Sequence, residues 1–370
     1  MKNKTIRILG IRGVPAAHGG FETFAEYLAP FLVERGWTVI VYCQEEGEGE
    51  IYESDWRGVK RIHIPVHGNG AKSTIVFDWV STLHASKSKD LCLTLGYNTA
   101  LFATVLRFKG VPNVINMDGI EWRRAKWGLV AKTWFWINEW AGSLLSNHMV
   151  ADHPQIKVHL ARGAADSKIT MIPYGAERLA TFEPKILEQF GLNAGCYGIL
   201  IARPEPENSV LEVVQAFSKQ SRGMPLVILG NYKPQGNAYH AEVLAAASAE
   251  VKFVGAIYDR QVVNSLRVGA RFYVHGHQVG GTNPSLVEAL GAGNPVLAHD
   301  NRFNRWVAAE SAVYFSSIDE CHEQITRLCN DGALVQNLQQ AAIAQYHSKF
   351  EWDAVLIQYE QLLLKWQQKD

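Results

Sequence analysis

The sequence predicts an α/β protein made of two doubly wound domains in succession, and three observations carry that prediction. Short β-rich runs alternate with helical patterns along the whole chain, the signature of parallel sheets with crossover helices. At 370 residues the chain is too long for one ordinary core and suits two. The alternation also runs through one series to about residue 175 and begins afresh near residue 197. A composition of 47% hydrophobic and 19% charged residues is that of a globular chain.

The first series opens on TIRILGI (5–11). The start of the chain is basic and then apolar, but the apolar run is about seven residues and leads into a Gly-rich loop, so it reads as a buried strand rather than a leader. The loop RGVPAAHGG (12–20) follows, then the helix FETFAEYLAPFLVERG (21–36). Phe21, Phe24, Ala25, Leu28, Phe31 and Leu32 share one face of that helix at i, i+3, i+4, i+7 spacing. Pro30 is expected to kink it and Gly36 to cap it. Strands are predicted at WTVIVYC (37–43), RIHIPV (61–66), DLCLTLG (90–96), NVINMDG (113–119), HMVAD (148–152) and ITMIPYG (169–175). After a join near residues 176–190, the second series starts at YGILIAR (197–203), with a helix bearing Val210, Val213, Val214 and Phe217 on one face. PLVILG (225–230), VKFVG (251–255), RFYVHG (271–276), PVLAHD (295–300) and AVYF (312–315) are its further strands. The last helix, WDAVLIQYEQLLLKW (352–366), is too apolar for a tail and must pack on something.

Several function classes are disfavoured at once. The 36 basic and 36 acidic residues cancel, so the basic excess of a nucleic-acid binder is missing. Five cysteines without C-x-x-C or Cys/His ligand spacing suit a reducing compartment, and a cytoplasmic location is expected. No eighteen-residue apolar run exists. The nearest approach, WGLVAKTWFWINEWAGSLL (127–145), is broken by Lys132, Asn138 and Glu139. Trp122, Trp127, Trp134, Trp136 and Trp140 cluster there beside Arg123, Arg124 and Lys126, and at helical spacing they fall on two faces. Two readings stand: a helix buried on most sides, or an interfacial patch, since Trp and basic residues both favour the headgroup region.

Ligands of open α/β sheets bind beyond the carboxyl ends of strands, so the strand-to-helix loops are where chemistry is sought. In the first, Gly19 and Gly20 precede a helix N-terminus and Glu22 lies in its first turn, so backbone amides there can meet an anion or a sugar hydroxyl. The loop is not G-x-G-x-x-G, which weakens a dinucleotide reading, and a structural turn is the alternative. The second, HGHQVGGTNPSLVEALGAG (275–293), combines Gly280 and Gly281 for close backbone approach with Asn283 as cap and Pro284 at the first helical position. Its amides and helix dipole suit a diphosphate, and Glu288, about one turn in, suits a ribose. Gly291 and Gly293 allow tight packing, and the bland alternative is a well-capped helix with no ligand. His275 and His277 are expected to line this loop rather than bind metal.

A leaving diphosphate needs its charge stabilised by a metal or by fixed cations and amides. There is no Asp-x-Asp pair, so no metal is expected by that device; Arg203, ending YGILIAR, is the candidate cation, with a surface salt bridge as its alternative. Asp118, in INMDGIEWRRAKW (115–127), can contact a sugar hydroxyl or take a proton, or is an ordinary Asp-Gly turn.

At these residues the chain resembles the retaining glycosyltransferases of family four, and within them the bacterial rhamnosyltransferase branch. The resemblance runs through IRGVPAAHGGFETFAEYLAP (11–30), MDGIEWRRAKW (117–127), ADHPQI (151–156), IPYGAE (172–177), ARPEPENS (202–209) and VGGTNPSLVEALGAG (279–293). It implies the GT-B fold: two Rossmann-like domains facing across a cleft, residues 1–178 on the acceptor side and 179–349 binding the nucleotide sugar, with 350–370 returning as a helix onto the first. Asp118 and Arg203 would serve catalysis. Gly19, Gly20, Arg203, Gly280, Gly281, Thr282, Asn283 and Glu288 would bind the donor, with residues 253–257 flanking the base. Glu22, Glu121, Trp122 and Arg124 would bind the acceptor. Two departures stand out: Glu207 and Asn208 occupy the place of the family's lysine, and Gly280 that of its first glutamate. The implied reaction moves L-rhamnose from dTDP-rhamnose onto a lipid-linked saccharide, with retention, no obligatory metal or cofactor, and peripheral membrane contact through residues 122–140, in cell-surface polysaccharide synthesis. A nucleotide-sugar 2-epimerase and a non-catalytic sugar-nucleotide-binding protein are the alternatives.

Overall fold

The computed structural model describes residues 4–367 apart from His18, Asn69 and Ala125. His18 of the first glycine loop, Ala125 of the Trp/Arg segment and the last three residues of the expected terminal helix therefore lie outside the described residues. The chain divides into two compact units, Met1–Tyr174 with Trp352–Asp370, and Gly175–Glu351.

In the first unit the chain runs β1 (Lys4–Leu9), α1 (Gly20–Glu34), β2 (Trp37–Glu46), β3 (Tyr52–Trp56), β4 (Val59–Val66), α2 (Ala71–Ala85), β5 (Leu91–Leu95), α3 (Ala103–Phe108), β6 (Asn113–Asn116), α4 (Leu129–Leu145), β7 (His148–Ala151), α5 (Pro154–Leu160) and β8 (Ile169–Met171). Among the described residues its sheet has eight strands, ordered β3-β4-β2-β1-β5-β6-β7-β8. All neighbours are parallel except the β3–β4 hairpin. That hairpin was not foreseen. Its turn, Arg57–Gly58, has positive φ at both residues (53° and 77°), as a two-residue turn that matches strand twist requires. Strand β1 lies between β2 and β5, with Ile6 opposite both Val39 and Leu91, so the winding reverses there.

Helix α1 lays Phe24, Leu28 and Leu32 on Ile6, Ile8, Val39 and Val41. Pro30 lies inside it without ending it, and Gly36, at φ 81°, follows its end.

The second unit continues with α6 (Pro184–Gln189), β9 (Gly198–Ile201), α7 (Val210–Ser218), β10 (Leu226–Leu229), α8 (Ala238–Ala245), β11 (Val251–Gly255), α9 (Arg260–Val268), β12 (Phe272–His275), α10 (Pro284–Gly291), β13 (Val296–His299), α11 (Arg302–Ala308), β14 (Ala312–Phe315), α12 (Ile318–Asn330) and α13 (Gly332–Lys349). Its described strands form one parallel sheet ordered β11-β10-β9-β12-β13-β14. Counted from β9, this is the doubly wound order 3-2-1-4-5-6, with its switch point between β9 and β12. Ile199, Tyr273, Leu286, Val287 and Leu290 fill one side of the sheet. Leu200, Val213, Phe217 and Val274 fill the other.

The final helix, α14 (Trp352–Gln367), belongs to the first unit. Its Val355, Leu356, Tyr359, Leu362 and Leu363 enter the same core as α1. The ring of Tyr359 packs tilted against that of Phe24, centroids 4.5 Å apart, and its hydroxyl accepts from Asn116 Nδ2 at 2.7 Å. Trp37 Nε1 donates to Glu360 at 3.2 Å, which ties the outer face of the helix as well.

Candidate active site

In the second unit, the loops that leave β9 and β12 flank the switch point and are joined to each other. Gln278 donates its backbone N–H to Glu207 O and its side-chain amide to Ser209 Oγ, both at 2.9 Å. Gly276 must be glycine, because a Cβ there would collide with the carbonyl oxygen of Asn208. Asn208 in turn donates to Arg203 O at 2.8 Å. So Asn208, in the place of the family's lysine, holds this loop. Arg203 itself is exposed, and its guanidinium forms no salt bridge among the described residues.

Gly280 has φ 144°, a conformation that side-chain-bearing residues rarely adopt, and a Cβ there would meet nothing. Backbone shape, not space, selects glycine at this point. Thr282 is buried, Asn283 caps α10 by accepting from Ser285 N at 3.0 Å, and Pro284 starts the helix. The four-residue pattern read from sequence is therefore realised as a capped helix N-terminus beside the switch point. Gly291 lets the far end of α10 approach the backbone of Glu177.

Glu288 is not free-standing. Arg267, in the last turn of α9 and 3% exposed in its side chain, donates to Glu288 Oε2 at 2.7 Å. Oε1 accepts no hydrogen bond among the described residues, which leaves it available to a ligand hydroxyl. Sequence reasoning missed Arg267, which reads there as an ordinary basic residue in the last turn of a polar helix. Phe253 of β11 packs edge-on against Tyr232 at 4.8 Å, and Ile257 joins the partly buried rim of the core. His275 and His277 stack at 4.3 Å, with His275 buried.

In the first unit, Gly19 precedes α1 with extended backbone, and Gly20 is its first residue. Glu22 is nearly buried and accepts from the backbone N–H of Arg12 at 3.2 Å, so it braces the loop that the sequence placed before it. Asp118, at φ 51°, follows β6 and donates its backbone N–H to Asn116 Oδ1 at 3.1 Å. Burial first, and the neighbouring carboxylate of Glu121 second, push its carboxyl up to about 6. Glu121 accepts from Arg124 at 2.9 Å and from Trp127 Nε1 at 3.2 Å, and its backbone N–H donates to the Tyr97 hydroxyl at 2.8 Å. Trp122 Nε1 donates to Glu139 at 2.9 Å, and the other oxygen of Glu139 meets His159 at 2.8 Å. Asp118, Glu121, Trp122 and Arg124 thus form one braced segment, while Glu22 sits on α1; Arg203, Gly280 to Asn283 and Glu288 belong to the second unit.

At the switch point of the first unit, Gly10, Asp78, Thr94 and Thr99 line a small cavity. Thr99 Oγ1 donates to Asp78 Oδ2 at 2.8 Å, and burial pushes the Asp78 carboxyl up to about 6. The sequence reading gave Asp78 no role.

Helix α4 corrects the reading of a helix buried on most sides. Leu129 and Val130 are 84% and 86% exposed, and Trp136, Ile137, Trp140 and Leu144 are exposed as well. These positions form one arc at helical spacing. Trp134, by contrast, is tied to Asn98 O at 2.8 Å. Between residues 100 and 147 the exposed described charges are Arg107, Lys109, Arg123 and Lys126; Asp118, Glu121 and Glu139 are buried or half-buried. No described helix is long and apolar enough to cross a membrane.

Residues 197–345 match the family described as glycosyl transferases group 1, and residues 3–177 match a domain of unknown function, DUF1972. No curated protein matches the sequence. Among solved structures, the sucrose-phosphate synthase of Thermosynechococcus elongatus is similar at TM-score 0.82 and 18% identity, covering 98% of this chain and 99% of that one. The Anabaena protein HepE in complex with UDP gives 0.74 and 14%, covering 98% and 100%. A trehalose-phosphate synthase from Burkholderia xenovorans, in complex with glucose-6-phosphate, gives 0.73 and 12%, covering 98% and 100%. Two Rossmann-like sheets, parallel but for the β3–β4 hairpin, with these likenesses define the GT-B glycosyltransferase fold. Within it, residues 197–345 are the part that matches the glycosyl transferases group 1 family.

Proposed function

We propose that this protein is a retaining glycosyltransferase that takes its sugar from a nucleoside diphosphate donor held by the second unit. The observation that carries the reading is the capped N-terminus of α10 at the β9/β12 switch point, with Gly280 at φ 144° and Arg203 free of any described salt bridge. The helix dipole, and the loop amides ahead of it, favour a diphosphate at such a terminus. A preorganised cation stabilises the charge that grows on a leaving diphosphate, an effect of about 3–4 kcal/mol per well-placed donor in other enzymes. Glu288, oriented by Arg267, would accept from the ribose hydroxyls. HepE, a structural relative, is known in complex with UDP and with UDP-glucose, which supports the donor class.

In this reading Asp118 contacts the acceptor or sugar as a carboxylate, and Glu22, Glu121, Trp122 and Arg124 shape its surroundings. The sugar proposed is L-rhamnose from dTDP-rhamnose, and the acceptor a lipid-linked saccharide; both rest on the sequence resemblance. The exposed apolar arc of α4, with basic and no acidic exposed charges flanking it in the chain, supports docking on an anionic lipid surface. The test is nucleotide release from dTDP-rhamnose, UDP-glucose and related donors, with and without a lipid-linked acceptor. Acceptor-dependent release from one donor is expected. Release of nothing from any donor would overturn the reading, and an isomerised nucleotide sugar formed without acceptor would replace it with an epimerase.

A further inference from the structure

We infer that His275 is a donor-contacting residue, its ring N–H serving the diphosphate of a nucleoside diphosphate at the β12–α10 loop; this rests on the function proposed above. Three observations converge on it. Tyr273, His275 and His277 alternate along β12 and its continuation, so their rings share a face. The rings form a ladder, Tyr273 to His275 at 6.0 Å and His275 to His277 at 4.3 Å, the second pair nearly parallel at 10°. The foot of that ladder is anchored, because the Tyr273 hydroxyl lies 2.7 Å from Ser285 Oγ, at the second position of α10.

That anchor sets the level of the next ring. Two residues along a strand span roughly 6.6 Å. His275 therefore stands one such step nearer the carboxyl end of β12 than Ser285, level with residues 281–283, whose backbone leads into the helix. This is where the backbone enters the helix, at the positive end of its dipole.

The second observation is what the ring lacks. His275 is 1% exposed, and neither Nδ1 nor Nε2 has a hydrogen-bond partner. A buried polar group without a partner is uncommon and calls for an explanation. Burial first, and His277 second, hold its pKa well below 6.5, so the imidazole is neutral and keeps one N–H donor. The third observation is the place: β12 borders the switch point, where doubly wound sheets bind ligands. A neutral donor among backbone amides suits an anionic oxygen. Gly280, where an added Cβ would meet nothing, lies in the loop that follows His275.

Calorimetric titration with UDP and dTDP, and with uridine and thymidine, tests this on the full chain. His275→Phe keeps a flat ring but removes the donor; His275→Gln restores an N–H. We expect the Phe variant to bind the preferred diphosphate about tenfold or more weakly, as befits one lost hydrogen bond to a charged group. Nucleoside affinity should be unchanged, and the Gln variant should regain most of the loss. Diphosphate affinity of the Phe variant within twofold of the parent overturns the inference alone. So does an equal loss for nucleoside and diphosphate, since the effect would then be one of packing. If the parent protein binds neither diphosphate, the proposed function falls, and this inference with it.

Discussion

Asp78→Asn exchanges a buried carboxyl for an amide of the same shape, and the structure sets both the sign and the size of the consequence. Asp78 faces inward from α2, is 7% exposed, and accepts from Thr99 Oγ1 at 2.8 Å. Its pKa rises from 3.8 to about 6, first because burial disfavours the charge, against the smaller opposing effects of Thr99 and Arg12. A folded pKa above the unfolded one means that the folded state binds the proton more tightly. The stabilising contribution of the neutral acid is fully present below about pH 4 and is lost as pH rises through about 6. Two pH units correspond to roughly 3 kcal/mol, so the charged carboxyl costs the first unit up to about that much at pH 8. The amide never ionises and still accepts from Thr99. Its new N–H2 faces a cavity also lined by Ser81 and Thr82, and imperfect pairing there would offset part of the gain. We therefore expect the variant to be more stable than the parent by about 1–3 kcal/mol at pH 8. The difference should shrink steadily between pH 6 and 4. Urea denaturation at pH 4.5, 6, 7 and 8, followed for the first unit, measures it. A difference that does not change with pH, or a variant less stable at pH 8, would refute the assignment of a raised carboxyl.

Other consequences are as direct. Arg203→Ala and Glu288→Ala should each weaken nucleoside diphosphate binding by roughly tenfold or more; Arg203→Ala should leave the thermal midpoint within a few degrees, whereas Glu288→Ala strands the buried Arg267 and should lower it, by calorimetry and thermal melts. Because the Asp118 carboxyl titrates at about 6, transfer that needs its ionised form should hold above that pH and fall as pH drops through it. Asp118→Asn should be slow throughout and lack that acid limb. Trp136→Glu with Trp140→Glu should reduce flotation with anionic liposomes several-fold, whereas Trp134→Phe, at a ring tied inward to Asn98, should not.

How much of this was legible in the sequence depends on how local the physics is. Asn283, Pro284 and the glycine pair specify a capped helix N-terminus within five residues, so loop and cap could be read directly. Strand β3, YESDW, is a short charged edge strand with no alternating apolar face, and nothing in its pattern announces pairing with β4. Arg267 and Glu288 lie on successive helices, and only tertiary packing brings them to 2.7 Å. Helix α2 inverts the usual rule: Asp78, Ser81 and Thr82 face inward, while Ile75, Val76, Trp79 and Leu83 are exposed. A helix that buries polar residues and exposes apolar ones hides its inward side from pattern reading. In α4 the apolar residues surround the axis, so the sequence alone could not separate the buried side from the exposed one. His275 could be placed at the second loop from the sequence, but the lack of hydrogen-bond partners for its ring is a tertiary fact.

The central claim is that the β12–α10 loop holds a nucleotide sugar for transfer, and acceptor-dependent nucleotide release tests it most directly. The account predicts nucleoside diphosphate formation from one donor, dTDP-rhamnose first among those tried, only when a lipid-linked saccharide is present, and its near loss in Arg203→Ala. Release that is equally fast without acceptor, or unchanged in that variant, would contradict it.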